Sequence, residues 1–261
     1  MEEIDLFNIK EITDFTPSQI FVNLEELSKT LPAQRTPGWF KMRHRMITAS
    51  DWGSVFGKSK FKTYNQLILD KCGYGKPYKP NPITQWGTKY EDVANAIYEK
   101  RTNMKVYEFG CMPHQGYTFL GASPDGISKN GIMLEIKCPA KRKINQTIPA
   151  QYYIQMQGQL EVCDLENGYL WECSFGLYNN KQEYDADKLH KIKGICDNYI
   201  DNKHAYWYLR ESRLTLVKRD KVWYHKTVLP KLKQFHRRLT CRKRKQTFND
   251  AKHVRKEERK K

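Results

Sequence analysis

Two short segments near the middle of the chain constrain its fold more than any other feature. The first is Ser-Pro-Asp-Gly at 123–126 and the second is Leu-Glu-Ile-Lys at 134–137, which places Asp125 ten residues before Glu135. Because side chains alternate along a strand, Glu135 and Lys137 share one face while the two aliphatic residues point into the core. The Gly/Asn-containing turn between the segments can fold them into a hairpin. The pattern predicts a strand pair that brings two carboxylates and an ammonium to one patch.

That patch has the composition of a metal-dependent hydrolytic site. Two carboxylates and a backbone carbonyl form a hard, oxygen-rich site suited to Mg²⁺. An adjacent lysine can orient or deprotonate a metal-bound water and stabilise developing negative charge. Each half alone is unspecific, because Pro-Asp-Gly is usually an ordinary turn and acid-x-Lys recurs at Asp201 and Glu258. The combination predicts hydrolysis of phosphodiesters.

The charge of the chain favours a polyanionic partner. Its 261 residues include 46 Lys+Arg and 29 Asp+Glu, a net charge of +17. Residues 231–261 hold 14 of those basic and 3 of those acidic residues, a net charge of +11. A strongly basic protein favours nucleic acid. The basic end itself has three interpretations: a grip on DNA, a nuclear import signal around 241–245, or a solvated tail.

Other classes of protein are not indicated. The seven cysteines are odd in number and lack C-x-x-C spacing, which predicts free thiols in a reducing compartment. Neither a G-x-x-x-x-G-K loop nor G-x-G-x-x-G occurs, which argues against nucleotide hydrolysis and dinucleotide redox chemistry. There is no apolar run of about 18 residues and no signal-like N-terminus, so we expect an intracellular protein without membrane contact.

The spacing of apolar residues predicts an α/β (α+β) fold with a central mixed β-sheet flanked by helices. Helices are predicted from Thr16 to before Pro32, from about 48, and over 64–72, 84–101 and 150–163, with strands over 104–112, 117–122, 131–137 and 168–176. From about 185 to the basic end the chain is predicted to be helical. The expected division is a helical segment (1–35), a nuclease core (36–205) and a helical, basic extension (206–261).

Five motifs in order give the sequence a family resemblance. They are Arg43-x-x-x-Ile47-Thr-Ala-Ser50, Trp86-Gly-x-x-Tyr90-Glu91, Ser123-Pro-Asp-Gly, Leu134-Glu-Ile-Lys-Cys-Pro and Tyr153-Ile-Gln-Met-Gln157. Over roughly residues 37–175 the chain resembles YqaJ-type viral recombinases, the bacteriophage lambda exonuclease-like branch of the PD-(D/E)xK nucleases. The resemblance implies a restriction-endonuclease-like core and a metal-dependent 5′→3′ exonuclease on double-stranded DNA, serving recombination, repair or replication and of viral origin.

The resemblance also implies a metal site. Asp125 and Glu135 would be the principal ligands of Mg²⁺, for which Mn²⁺ would substitute, helped by the carbonyl of Ile136. Lys137 would position the attacking water, and Glu91 would be a further metal carboxylate.

Recognition of the strand end is implied in the same way. Gln155 would orient water or phosphate beside the scissile bond, and Arg43 and Ser50 would hold the 5′-phosphate of the digested strand. A guanidinium beside a hydroxyl near a helix start suits an anion. Three nearby aromatic residues are candidates to wedge or stack on end bases, although core positions are more common for such residues: Trp39, Phe40 and Trp52.

Several alternatives stay open on the sequence alone. The same metal site would serve a structure-specific or sequence-specific endonuclease, and metal-assisted hydrolysis does not itself exclude RNA. A catalytically inactive DNA-binding module of the same fold is a third alternative. Expected partners are double-stranded DNA ends and a single-strand annealing protein, with a homotrimer or a monomer both open. The expected location is the cytoplasm or, for a virus, the host nucleus.

Overall fold

A computed structural model of the chain describes residues 17–75, 81–197 and 204–258, with side chains described up to Lys245 except at 197. In chain order its elements are α1 (Gln19–Ser28), α2 (Pro37–Arg45), β1 (Ile47–Thr48), α3 (Ala49–Val55), α4 (Tyr64–Lys71), α5 (Pro82–Thr102), β2 (Val106–Tyr107), β3 (Met112–Pro113), β4 (Leu120–Ala122), β5 (Gly126–Ser128), β6 (Ile132–Lys137), α6 (Ala150–Val162), β7 (Asn167–Leu177), α7 (Lys181–Ala186), β8 (Lys193–Asp197), β9 (His204–Lys218), α8 (Lys221–Trp223), a π-helical turn (Tyr224–Val228) and α9 (Leu229–Glu258).

A six-stranded mixed sheet forms the centre of the molecule, with the order β2-β5-β6-β7-β9-β8. β6 and β7 run parallel, whereas every other neighbouring pair in this sheet is antiparallel. The predicted hairpin is confirmed: β5 pairs with β6 with Gly126 opposite Leu134. This register carries Asp125, one residue before β5, to the strand that holds Glu135 and Lys137.

The predicted helix over 150–163 is confirmed as α6, which provides the crossover that parallel strands β6 and β7 require. α6 packs closely on α3 at Gly158. A side chain there would lie 2.9 Å from both the Cβ of Ala49 and an edge carbon of Trp52. Because only a glycine permits this approach, the polar face of α6 comes near the start of α3.

Two further contacts position the elements around the sheet. Strand β1 pairs in parallel with β4, Ile47 opposite Leu120, and so fixes the start of α3 beside the strand that leads to Asp125. Helix α5 lies on the sheet through Tyr90, which is fully buried and stacks on Phe175 with ring centroids 4.8 Å apart. The sheet therefore positions the residue that follows, Glu91.

The helix predicted from about 185 to the basic end is wrong over the described residues of 193–218 and confirmed over 221–258, where α8, the π-helical turn and α9 follow one another. Residues 193–197 and 204–218 are strands, so the first part of the expected helical extension belongs to β9. β7 is paired along its whole length with β9, from Asn167 opposite Lys218 to Leu177 opposite Trp207. The aliphatic and aromatic residues of 192–209 fit helical spacing, but the open edge of an eleven-residue strand satisfies its backbone only by pairing.

The remaining predicted helices and strands are confirmed within a few residues, with 104–112 divided between β2 and β3. Thr16 and Tyr199, which the sequence placed in helices, lie outside the described residues. Within the described parts of the chain, no helix combines the length and apolar character that a membrane crossing requires.

Candidate active site

The predicted site residues meet in one cleft of about 180 Å³ between the sheet, α6 and the α2–α3 region. Seven of the eight line it with their side chains: Arg43, Ser50, Glu91, Asp125, Glu135, Lys137 and Gln155. The eighth, Ile136, was predicted to contribute only its backbone. Residues as far apart as Arg43 and Gln155, 112 positions along the chain, are thus brought together by the β5–β6 register and the α3–α6 contact.

Glu135 lies at the floor of the cleft and is fully buried. Its Oε1 accepts hydrogen bonds from the Gln155 amide, at 2.6 Å, and from the Lys137 ammonium. Its Oε2 accepts a hydrogen bond from the Gln159 amide at 2.6 Å. Because donors hold both oxygens, the orientation of this carboxylate is fixed by the fold.

Asp125 is held against the same strand. The backbone amide of Ile136 donates to its Oδ2 at 2.6 Å. Burial and then the negative charge of Glu135 raise the pKa of Asp125 well above its ordinary value, although Lys137 opposes the shift. The two carboxylates therefore repel each other through a poorly solvated region.

Lys137 is the positively charged residue beside Asp125 and Glu135. Its ammonium donates to Glu135 and, at 3.0 Å, to the carbonyl of Ile136. Burial opposes its positive charge, but Glu135 and Asp125 outweigh that effect and raise the pKa of Lys137 above its ordinary value. Lys137 is accordingly an ammonium donor in this arrangement and not a free base.

Glu91 reaches the cleft from α5. The guanidinium of Arg35 donates to its Oε1 at 2.9 Å. Burial raises the pKa of Glu91 despite the opposing charge of Arg35. Arg35 has a φ of 64°, in the left-handed region that side chains other than glycine rarely adopt. No sequence pattern indicates this partner, since the pairing depends on that backbone conformation.

Arg43 and Ser50 form the more exposed part of the cleft, its outer end, whereas the buried Glu135 marks its inner end. The Arg43 guanidinium donates to Ser50 Oγ at 2.9 Å and lies over the Trp39 ring, 4.4 Å from its centroid. Ser50 is exposed. Lys71 braces the region from α4, since its ammonium donates to the Arg43 carbonyl and pairs with Asp51, both at 2.8 Å. Lys71 therefore holds the backbone next to Arg43 and Ser50 in place, while the hydroxyl of Ser50 stays accessible to solvent.

The three aromatic candidates have different surroundings. Trp52 is fully buried in the core and stacks on Tyr224, so for this residue the core alternative is confirmed and the candidate role in stacking on DNA bases is excluded. Trp39 lines the cleft and donates from Nε1 to Ser123 Oγ at 3.0 Å. Phe40 is 57% exposed, and its ring makes an edge-to-face contact with the Trp39 ring.

Gln159 is a site residue that the sequence did not distinguish. With Gln151 and Gln155 it has the spacing of an exposed polar face, but it is 1% exposed and lines the cleft. Its Nε2 donates to Glu135 Oε2 and, at 3.5 Å, to the carbonyl of Ser123, whereas its Oε1 has no hydrogen-bond partner among the described residues. An amide that is buried with one unsatisfied atom is costly, which indicates that this position serves the site.

The residues of the cleft fit a divalent cation. Within the described residues, no three His, Cys, Asp or Glu side chains converge as a self-sufficient metal site. Asp125 and Glu135 nevertheless offer hard oxygens, and burial and then the charge of Glu135 raise the pKa of Asp125, effects that a bound cation would oppose. A hard ion such as Mg²⁺, which keeps several waters and binds through one or two carboxylates, matches this donor set.

The chain has relatives in viruses and bacteria. Residues 38–166 match the YqaJ-like viral recombinase domain. The uncharacterised protein R354 of Acanthamoeba polyphaga mimivirus is 31% identical over 180 residues, covering 62% of this chain and 33% of that protein. Protein D345L of African swine fever virus (isolate Tick/South Africa/Pretoriuskop Pr4/1996) is 27% identical over 165 residues, covering 51% and 47%. The chain thus spans between a third and a half of the length of these relatives.

A solved structure shares the fold. The alkaline exonuclease LHK-Exo from Laribacter hongkongensis matches with a TM-score of 0.59 and 22% identity, over 83% of this chain and 99% of that one. The same exonuclease in complex with dAMP matches with a TM-score of 0.57. The predicted nuclease fold, a mixed sheet flanked by helices, is therefore confirmed.

Proposed function

Since residues 38–166 form a YqaJ-like viral recombinase domain, we propose that the protein is a metal-dependent deoxyribonuclease that digests double-stranded DNA from its 5′ ends. One observation carries the proposal: a buried carboxylate–lysine group and a more exposed arginine–serine group line a single small cleft. The first group suits hydrolysis and the second suits a terminal phosphate. An exonuclease with defined polarity needs both beside each other.

The hydrolytic end would hold Mg²⁺, or Mn²⁺ in its place, on Asp125 and Glu135 with the carbonyl of Ile136. When bound, such an ion lowers the pKa of its water and stabilises charge on the phosphate. Gln155 and Gln159 keep Glu135 in one orientation, so little reorganisation is needed when substrate arrives. Glu91 is the further carboxylate of this group.

Lys137 would act as a charged donor. Its ammonium is aligned by Glu135 and by the Ile136 carbonyl, which leaves a third N–H available. That donor can orient the attacking water or stabilise the negative charge that develops on the phosphate oxygens. Gln155, beside it, would orient water or phosphate.

The outer end would set the polarity. The guanidinium of Arg43 and the hydroxyl of Ser50 offer several N–H and O–H donors to a terminal phosphate monoester. A 5′-phosphate held there would place the next phosphodiester along the strand at the carboxylates. Repeated cleavage would release deoxynucleoside monophosphates, of which dAMP is one, and leave a 3′ single strand for recombination, repair or replication.

The test compares three substrates of one sequence: linear duplex DNA, covalently closed circular DNA and RNA. Each is incubated with Mg²⁺, Mn²⁺ or EDTA and with wild type, Asp125→Asn or the control Asp185→Asn, an exposed carboxylate on α7. We expect metal-dependent loss of linear DNA only, abolished by Asp125→Asn and unaffected by the control. Cleavage of the circle would replace the proposal with an endonuclease, and equal cleavage of RNA would refute the restriction to DNA. Binding without cleavage would indicate an inactive module.

A further inference from the structure

Three depressions adjoin one another across the face formed by α2, α4 and α9. The catalytic cleft is the first. The second, of about 440 Å³, shares Arg43 with it and extends along α4 to Gly73 and Gly75. The third, of about 790 Å³, is lined by Tyr74, between those two glycines, and by the outer face of α9. Shared and adjacent lining residues therefore place the three depressions in sequence from the candidate active-site cleft to α9, and we call this series the groove.

The third depression carries uncompensated positive charge. Residues 229–245 of α9 include eight Lys or Arg and no Asp or Glu. The apolar side of this helix is buried in the core, which directs its basic side outward. Four of these basic residues line the depression, and none of the four forms an ion pair with an acidic side chain in the described residues: Arg237, Arg238, Arg242 and Lys245. In the second depression, by contrast, Lys62 and Lys71 pair with aspartates.

Exposed aromatic rings lie along the same groove. Tyr74 is 55% exposed in the third depression, and Phe40 is 57% exposed in the second. Cations that follow a phosphate backbone, interleaved with rings on which bases stack, characterise sites for single-stranded nucleic acid. A duplex offers the phosphates but keeps the faces of its bases stacked inside.

We propose that this groove binds single-stranded DNA, with its backbone on the α9 arginines and its bases against Tyr74 and Phe40. The inference rests on the proposed function and extends it. Digestion of one strand leaves the other unpaired at the cleft, and the groove that begins at Arg43 gives this retained strand a path. Its occupancy would keep the enzyme on the DNA between successive cuts.

Equilibrium binding tests the charge. Fluorescence anisotropy of a labelled 20-nucleotide oligo-dT in EDTA compares Arg237→Gln/Arg238→Gln/Arg242→Gln with Lys129→Gln/Lys188→Gln/Lys191→Gln, which removes equal charge from exposed lysines outside the groove. We expect at least tenfold weaker binding for the arginine variant only. Its slope of log K against log salt should become shallower by about 2, since each lost contact to a single strand contributes about 0.7. Equal weakening by both variants would overturn the proposal.

Stacking gives an independent readout. Tyr74→Ala should weaken oligo-dT binding about tenfold without changing the salt slope, because stacking on an aromatic ring involves no released counterions. Tyr74→Phe should restore the affinity. A Tyr74→Ala protein that binds oligo-dT like wild type would contradict the role of the ring.

Cys241 allows the site to be located without a substitution. It is exposed and lines the third depression, whereas the other six cysteines are buried or partly buried. Saturating oligo-dT should slow its alkylation by N-ethylmaleimide at least fivefold, and a blunt 20-base-pair duplex should protect it less. Unchanged alkylation with bound oligo-dT, or stronger protection by the duplex, would overturn the single-strand assignment.

These measurements are separable from the nuclease test. If wild type binds oligo-dT as expected but hydrolyses no DNA, the proposed function fails while the groove stands. If wild type degrades linear DNA and the arginine variant binds oligo-dT normally, the groove proposal fails alone.

Discussion

The two ends of the cleft are built in opposite ways. At the inner end, Glu135 is fully buried and three side-chain donors hold its two oxygens. At the outer end, Ser50 is exposed and Arg43 reaches it from a neighbouring helix through one hydrogen bond. Hydrolysis depends on fixed, poorly hydrated groups, whereas capture of a strand end depends on access. The contrast leads us to expect the inner end to control rate and the outer end to control which substrate is used.

The helices and strands that carry the residues also differ between the inner and the outer end of the cleft. The inner residues lie on paired strands β5 and β6 and on the crossover helix α6. The outer residues lie on α2 and at the start of α3, joined to α4 through Lys71. The inner residues are thus held by sheet pairing and helix packing, whereas the outer pair depends on two short helices and on the contacts of Lys71. Substitutions at the two ends should therefore have different kinetic signatures.

The largest effect is expected at Lys137. Lys137→Ala removes the ammonium donor and leaves the Glu135 charge without its partner, so kcat should fall by about 10³-fold, as for loss of a preorganised donor. Steady-state hydrolysis of linear duplex measures it. Lys141→Ala, at an exposed lysine outside the cleft, is the matched control. Activity above a tenth of wild type in Lys137→Ala would show that the inner end does not control rate as described.

Gln159 should give the next effect. Gln159→Leu removes the donor to Glu135 Oε2, so we expect kcat to fall about 30-fold with little change in KM. The Mg²⁺ concentration for half-maximal activity should rise, since the carboxylate loses its fixed orientation. The control is Gln151→Leu, two turns earlier on α6, which should change neither kcat nor the Mg²⁺ concentration for half-maximal activity. If Gln159→Leu needs the same Mg²⁺ concentration as wild type, Gln159 does not orient the Glu135 carboxylate and contributes only to packing.

A smaller and different effect is expected at Arg43. Arg43→Gln should reduce the preference for a 5′-phosphorylated end over a 5′-hydroxyl end about tenfold, because a charge-assisted bond to the phosphate is lost. Hydrolysis of the 5′-hydroxyl end should hardly change. The control is Arg45→Gln, an exposed arginine on the same helix. An equal fall in the hydrolysis rate of 5′-phosphorylated and 5′-hydroxyl DNA would show that Arg43 does not recognise the phosphate specifically, and the two parts of the cleft would not have separate functions.

The smallest effect concerns the stability of the metal-free protein. Burial and then the negative charge of Glu135 raise the pKa of Asp125, so its ionised form carries a free-energy cost in the folded protein. Asp125→Asn keeps an acceptor for the Ile136 amide without the charge and should stabilise the protein by about 1 kcal/mol, ~2 °C in Tm. Ser50→Ala should lie within about 0.5 kcal/mol of wild type. Thermal unfolding in EDTA measures this difference. An Asp125→Asn protein that unfolds at a lower temperature than wild type would contradict the free-energy cost assigned to the Asp125 charge.

Much of the inner end could be predicted from sequence, because it follows from local rules. Alternation along a strand and a tight turn suffice to bring Asp125, Glu135 and Lys137 together, and the β5–β6 register confirms it. The helices around this region were predictable from apolar periodicity. The catalytic roles of these residues stay predictions until they are measured.

The rest depends on tertiary structure that no local pattern contains. Gln159 has the spacing of an exposed face, and only the approach of α3 at Gly158 buries it. Arg35 meets Glu91 through a left-handed backbone conformation. β8 and β9 were mistaken for helix because their apolar spacing fits both structures, and pairing with β7 decides between them.

One measurement tests the division of labour most directly. Linear duplex DNA, labelled separately on each strand and carrying a 5′-phosphate on one strand only, is incubated with Mg²⁺ and with wild type, Lys137→Ala or Arg43→Gln. We predict that wild type releases mononucleotides from the 5′-phosphorylated strand and spares the other. Lys137→Ala should release none, and Arg43→Gln should attack both strands at more similar rates. Release from 3′ ends, or wild-type digestion that ignores the 5′-phosphate, would contradict the account.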